Sequence, residues 1–470
     1  MSKSKKRISA IMIGAGIRGR DVYGNYALNH PQDLEFVAVA EPHPIRRDIF
    51  AQAHDIPPLN QYETWEDLLQ SKIADAAFIC TQDQMHTAPT IKALELGYNV
   101  LLEKPMATRI DECIQLTKKA EEVNKQLRIA HVLRYTPFFQ EIYEIITSGK
   151  LGDIITIDHR ENVSYWHMAH SYVRGHWAKE KSSSPMILAK SCHDLDILYW
   201  LVGCSPRSIS SFGSLKHFTP ENAPLGAKDR CLDGCAVADS CKFYAPRIYI
   251  DIIPLLRIAQ IGGSWMVRFI VNLALKHPRL FSKLKNLPLF RQVTEYQGWP
   301  VSTITEDYTT KGKWEALRNG PYGKCVYFAN NDVVDHQVTI IEFENGVTST
   351  FTMHGFSHLE GRTIRIDGTQ GTLIGEFLAS GEKLVLYDHF NEKEKLIINQ
   401  KMDLGAEIGH GGGDFSLIES FIRSLQLDSE EPLTSAKSSL ESHIMAFAAE
   451  EARLTNSTIH MDEFKKKLCN

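Results

Sequence analysis

The feature that most constrains this chain lies near its start. Ile8-Ser9-Ala10-Ile11-Met12-Ile13 is a short apolar run, suited to a strand buried on both faces. It runs directly into Gly14-Ala15-Gly16-Ile17-Arg18-Gly19, a G-x-G-x-x-G turn. The three glycines of such a turn serve a tight bend, close approach of backbone to a pyrophosphate, and close helix–strand packing. The helix that follows offers free N–H groups and a positive dipole end to phosphate. A second apolar strand, Phe36 to Ala40, ends in Glu41, about 20 residues beyond the last glycine. A carboxylate there can accept hydrogen bonds from ribose hydroxyls and repels a 2′-phosphate, so the pattern favours NAD over NADP. Arg46 and Arg47 follow closely and could soften that preference, although two solvated helix residues explain them better.

The alternation continues. Ala74 to Thr81, Asn99 to Leu102 and Arg128 to Val132 read as strands, and Thr87 to Leu96 and Asp111 to Asn124 as helices. This predicts a doubly wound parallel sheet, with ligands at the carboxyl ends of its strands. Thr81, Gln82, His86 and Glu103-Lys104-Pro105 all sit at or just past those ends. Further on, His336 to Phe343 and Val347 to His354 alternate around Glu344-Asn345-Gly346, a strong hairpin signal. Thr363 to Ile366 and Thr372 to Phe377 predict a second hairpin around Gly368-Thr369-Gln370-Gly371.

With 470 residues the chain exceeds what one core usually serves. Its net charge of −5 offers no attraction to a polyanion, which argues against nucleic acid. The basic start, Lys3 to Arg7, is followed by no apolar stretch of signal length, so a cytoplasmic protein is expected. The apolar region Ile252 to Leu275 is interrupted by Arg257, Gly262-Gly263 and Arg268 and reads as an amphipathic or buried helical segment rather than a membrane span. Nine cysteines in this length do not make a disulfide scaffold. Cys231, Cys235 and Cys241 nevertheless cluster, and Cys325 or Cys192 could complete a four-thiolate structural zinc or iron–sulfur site. The spacing lacks a Cys-x-x-Cys pair, and free buried thiols are the competing explanation, so no metal is assigned.

The stretch "GYNVLLEKPMA" ending at Ala107, "HVLRYTPFF" from His131, "HDLDILYWLVG" from His193 and "GHGGGDF" from Gly409 resemble the glucose–fructose oxidoreductase/inositol dehydrogenase (Gfo/Idh/MocA) family. They fall in the family's order and span most of the chain. The resemblance implies an NAD-binding Rossmann domain over residues 1–135. It also implies an α+β domain on an open, mostly antiparallel sheet over 136–470, with a Cys-containing insertion around 213–330. It further implies a homodimer or homotetramer that buries one face of that sheet, and a sugar or polyol substrate.

Residue by residue, the family pattern sets Lys104 beside nicotinamide and substrate, and places His193 as the acid or base for the sugar hydroxyl. An ammonium near a developing alkoxide stabilises it, and burial can lower a lysine pKa into the working range. Many family dehydrogenases carry an aspartate four residues before this histidine; here that position is Ala189, and Lys190, the nearest ionisable group, is the catalytic candidate to take over part of the proton handling, unless the chemistry differs. Cofactor contacts are expected from Gly14, Gly16, Ile17, Arg18, Gly19, Glu41, Arg46, Thr81, Gln82, His86, Glu103 and Lys104. His131, Arg134, Tyr135, Asp196 and His410 are substrate-side candidates. So are His170, Arg174 and Trp177, in "YWHMAHSYVRGHW", since rings stack on sugar C–H faces and imidazole or guanidinium binds hydroxyls. A metal site from His167, His170 and His176 follows no familiar ligand spacing. The expected function is NAD(H)-dependent oxidation or reduction at a sugar or polyol carbon. The alternatives are a redox-neutral, NAD-dependent glycoside hydrolase and, with Lys104 and His193 intact least favoured, a cofactor-sensing regulator.

Overall fold

The computed structural model describes residues 6–262, 265–276, 296–401, 411–427 and 433–468. Its first sheet contains β1 (Ile8–Ile13), β2 (Leu34–Ala40), β3 (Gln61–Tyr62), β4 (Ala76–Ile79), β5 (Asn99–Leu102) and β6 (Leu127–Ile129), in the order β3-β2-β1-β4-β5-β6. Every pairing in it is parallel. Strand order therefore reverses beside β1, the strand that carries the glycine turn, and a ligand crevice opens at such a point. Ala10 and Met12 pack on one face of this sheet, Ile11 and Ile13 on the other, as a period of two requires. The sequence expectation of a strand from Arg128 to Val132 is trimmed: the strand ends at Ile129 and Val132–Tyr135 forms a 3₁₀ turn.

The second sheet has nine strands: β7 (Ile154–Ser164), β8 (Pro206–Ser214), β9 (His336–Phe343), β10 (Thr348–Ser357), β11 (Gly361–Gly368), β12 (Gly371–Leu378), β13 (Gly381–Asp388), β14 (Lys393–Lys401) and β15 (Ile459–His460). They lie in the order β14-β13-β12-β11-β7-β10-β9-β8-β15. Only β7 and β10 pair in parallel. Both expected hairpins form, β9–β10 with Gly346 at φ 85° and β11–β12 across Thr369-Gln370.

Helices cover one face of this sheet. The helix Pro137–Thr147 starts on Thr136, whose side chain accepts the Phe139 N–H, with proline at its first position. The helix Cys192–Val202 ends on Gly203 in the left-handed region. Leu195, Leu198 and Leu201 of that helix join Ile157, Ile341 and Phe351 in the large core. Late in the chain, the helix Gly413–Leu427 returns to the first sheet, packing Leu417, Ile418, Phe421 and Ile422 against the core of β1 and β2. A division of the chain at residue 135 thus leaves out one helix of the first core.

Residues Ile252 to Leu275 form two helices, Ile253–Gly262 and Trp265–Lys276. Among the described residues no helix is long and apolar enough to cross a membrane.

Candidate active site

At the glycine turn, Gly14 stands at φ 92°, and a Cβ there would meet Cys80 O at 2.7 Å. A Cβ on Gly19 would collide with Gly14 O, whereas one on Gly16 would meet nothing within 4 Å. Chain packing requires the outer two glycines, while Gly16 leaves bare backbone open. That open backbone fits a dinucleotide pyrophosphate. Glu41, buried at the end of β2, accepts the Ala15 N–H at 2.8 Å and the His43 N–H at 3.0 Å, which fixes its carboxylate beside the turn.

Arg18 is engaged by protein. Its guanidinium donates to Glu103 Oε1 at 2.6 Å and Asp414 Oδ1 at 2.7 Å, and Tyr23 donates its hydroxyl to the same Glu103 oxygen. Burial disfavours the charge on Arg18, but Asp414 and Glu103 outweigh it and raise its pKa. Arg46 pairs with Glu306 at 2.7 Å, so a carboxylate of the insertion reaches the helix that follows Glu41.

Lys104 follows β5, and its ammonium donates to the carbonyl oxygen of Ala189 at 2.8 Å. Three bonds pin this turn and its neighbour. His86 Nδ1 lies 2.7 Å from Pro105 O and its Nε2 3.2 Å from Thr81 O, and Met106 N–H donates to His443 Nε2 at 2.8 Å. His193 opens the helix Cys192–Val202 and is buried. Its ring stands edge-on to His131 at 5.5 Å, and His131 in turn meets His443 at 5.4 Å. The Lys104 charge acts on both His131 and Cys192. Burial, chiefly, pushes His131 down to about 4 and His443 down to about 3. Across the cleft, Asp83, just past β4, accepts the Trp177 indole N–H at 2.9 Å and the Ser184 hydroxyl at 3.3 Å.

A buried ionic network adjoins this group. Lys190 lies 3.2 Å from Glu161 on β7 and 3.1 Å from Glu360. Arg362 pairs with Glu161 and with Asp194 at 2.8 Å, and Asp194 also meets His159 at 2.7 Å. Glu360 accepts the Ser164 N–H and meets His167 Nδ1 at 2.9 Å. Burial opposes the charge on Lys190, yet Glu161 and Glu360 outweigh it and raise its pKa. Burial pushes Glu161 up, while His167 and Lys190 hold Glu360 well below the carboxylate range despite its own desolvation.

Two profiles of one family match the chain. The first, an oxidoreductase family with an NAD-binding Rossmann fold, covers residues 8–131, and the second, that family's C-terminal alpha/beta domain, covers residues 143–240. The chain belongs to the Gfo/Idh/MocA oxidoreductase family. It is 22% identical to YteT of Bacillus subtilis, named as an oxidoreductase, over 79% of this chain and 77% of that one. It is 24% identical to an inositol 2-dehydrogenase of Corynebacterium glutamicum over 44% of this chain and 57% of that one. It is 27% identical to a 2,7-anhydro-N-acetylneuraminate hydratase of Escherichia coli over 33% of this chain and 40% of that one. In fold, it superposes on an Agrobacterium radiobacter oxidoreductase solved with NAD+, L-tartaric acid and magnesium. That match has a TM-score of 0.64 at 14% identity and covers 97% of this chain and 99% of that one.

Within this Gfo/Idh/MocA chain the structure gathers some of the sequence candidates and separates others. Lys104, His131 and His193 come together, with Ala189 offering its main-chain oxygen to Lys104. Five substrate-side candidates have partners within the protein. Arg134 and Asp196 spend themselves on each other in a two-bond pair, both bonds 2.6 Å, and Tyr135 bonds Thr434. His170 lies between the Tyr249 hydroxyl and the Tyr322 ring. Arg174 donates to Lys324 O and Phe243 O and faces the clustered cysteines. Trp177 and His86 serve the domain junction and the strand-end loops through the bonds given above. Thr81 bonds Met85 O, Gln82 is exposed, and Ile17 is half-buried. His410 lies outside the described residues.

Among the described residues no three His, Cys, Asp or Glu side chains are grouped to hold a metal ion, which removes the His167, His170, His176 alternative. Sequence reasoning missed Asp83, Glu161, Asp194, Glu360 and Arg362. Each is one polar residue in an ordinary strand, turn or helix pattern, and no local spacing marks it.

Proposed function

We infer that this oxidoreductase uses NAD(H) to oxidise or reduce a carbon–oxygen centre of a sugar or polyol. A nicotinamide dinucleotide, when bound, supplies the hydride acceptor. The observation that carries the reading is Lys104 held on Ala189 O beside the His131–His193 pair, at the carboxyl end of the parallel sheet. Lys104 orients the reacting oxygen and stabilises negative charge on it. His193 exchanges the hydroxyl proton. Lys190, kept charged by two carboxylates, does not serve as a base; it holds Glu161 and Glu360 in place. Gly16 and Glu41 support dinucleotide binding, and the carboxylate favours NAD over NADP. On the uncovered face of the large sheet Ile155, Phe212, Val338, Ile340 and Leu396 are exposed, which supports self-association through that face.

A second reading, redox-neutral elimination chemistry in which the cofactor is regenerated each turn, is favoured by the hydratase among the relatives. One screen separates the two. Purified protein with NAD is offered free sugars, polyols and chromogenic glycosides, with NADH absorbance and aglycone release recorded together. NADH accumulating on a free sugar or polyol supports the first reading. Aglycone release that requires NAD but leaves no net NADH supports the second. No turnover of either kind, with NAD bound, refutes both.

A further inference from the structure

The four cysteines of the insertion meet. Cys231, Cys235, Cys241 and Cys325 all line one cavity, although the last is far from the others in sequence. The meeting is built by backbone. Cys231 N–H donates to Gly323 O at 2.9 Å and Cys325 N–H to Asp229 O at 2.8 Å, a two-bond ladder around the Arg230–Lys324 bridge. A turn closed by Cys241 N–H to Val237 O, 2.9 Å, brings Cys235 and Cys241 to the same place.

The surroundings supply polar partners to sulfur. Cys231 Sγ accepts the Ala245 N–H at 3.4 Å and faces the Arg174 guanidinium at 3.6 Å. Hydrogen bonds to sulfur of this kind tune and orient metal-bound thiolates. No carboxylate lines the cavity, whereas Arg174 and Lys228 do, so two cations face the negative charge that four thiolates around a divalent ion or cluster would carry. None of the eight described cysteines is in a disulfide.

We propose that Cys231, Cys235, Cys241 and Cys325 bind a structural metal centre through four thiolates, either a zinc ion or an iron–sulfur cluster. The sulfurs do not yet stand in single-ion spacing. A zinc ion therefore requires the sulfurs to approach one another on binding, while a cluster spreads its ligands over a wider shell. The centre staples the start of the insertion to its end. Through Arg174 it fixes the segment Tyr165 to Trp177, which also carries His167 and Trp177 of the cleft.

The test is elemental analysis of untagged protein purified without oxygen or chelator, with acid-labile sulfide and the visible spectrum. The expected result is about one zinc with no colour, or about four iron with matching sulfide and visible absorption, per chain. The Cys235→Ser/Cys241→Ser double variant loses the metal and melts lower, while Cys204→Ser keeps it. Metal far below one equivalent in the wild-type protein, with all nine thiols titratable after denaturation and no uptake of Zn²⁺ or of ferrous iron plus sulfide, overturns the proposal. That outcome is decisive even if the double variant fails to fold.

Discussion

The Arg134–Asp196 pair gives the sharpest test of the site's boundary. Sequence reasoning places both residues at the substrate, but the structure closes them on each other with two bonds of 2.6 Å, at 4% and 1% side-chain exposure. Replacing Arg134 by Met leaves a carboxylate buried without its cation, which costs about 3–5 kcal/mol. Replacing both, Arg134→Met with Asp196→Leu, removes the stranded charge and recovers most of that loss. Burial alone would push Asp196 up, but Arg134 holds it below its ordinary value. The pair's contribution is therefore full above the unfolded carboxylate pKa and is lost as pH falls through the lowered folded value. Urea unfolding of the wild type, two single variants and the double variant at neutral pH yields the coupling energy. Steady-state kinetics on the same proteins check the substrate side. If Arg134→Met unfolds within about 1 kcal/mol of wild type while KM rises tenfold, the buried-pair argument fails.

Gly16→Ala keeps wild-type stability, since its new Cβ meets nothing, yet weakens NAD(H) binding at least about tenfold by calorimetry; Gly19→Ala unfolds at lower denaturant because its Cβ strikes Gly14 O. Lys104→Met lowers kcat by about 10²–10⁴ with little change in melting temperature, because only one part-buried bond, to Ala189 O, is lost. His131 and His443 are held neutral, with pKa values of about 4 and about 3. Stability is therefore flat above the unfolded histidine pKa of about 6.5 and falls below it, by about 1.4 kcal/mol per pH unit for each group. A His443→Gln variant has a shallower acid limb in urea titrations across that range.

Much of the frame was legible because its signals are local. An apolar run before glycines marked β1 and its turn, and Asn345-Gly346 marked the β9–β10 hairpin. Lys104 and His193 were readable from the family pattern around them. The order of the nine strands was not, because alternation fixes which face a residue takes but not which strand lies beside it. Glu161, Asp194, Glu360 and Arg362 escaped for the same reason: their meeting is made by the β11–β7 pairing, which sets Arg362 opposite Glu161. The partners of Arg18 were equally invisible. Its place in the glycine turn suggests phosphate, yet Glu103 and Asp414 occupy it, and Asp414 arrives from a helix near the far end of the chain.

The contact between Arg46 and Glu306 bears on how quickly the enzyme can empty itself. It joins the helix after Glu41 to the insertion, while Trp177 and Ser184 clasp Asp83 on the opposite rim. Swinging the two halves apart must break both clasps. The first is partly wet, with Arg46 at 36% side-chain exposure, so it is worth at most about 1 kcal/mol and is screened by salt. The second is part-buried and made by neutral donors, so salt screens it less. Dissolved electrolyte thus acts chiefly on the Arg46–Glu306 rim and little on the hydrogen bonds to Asp83.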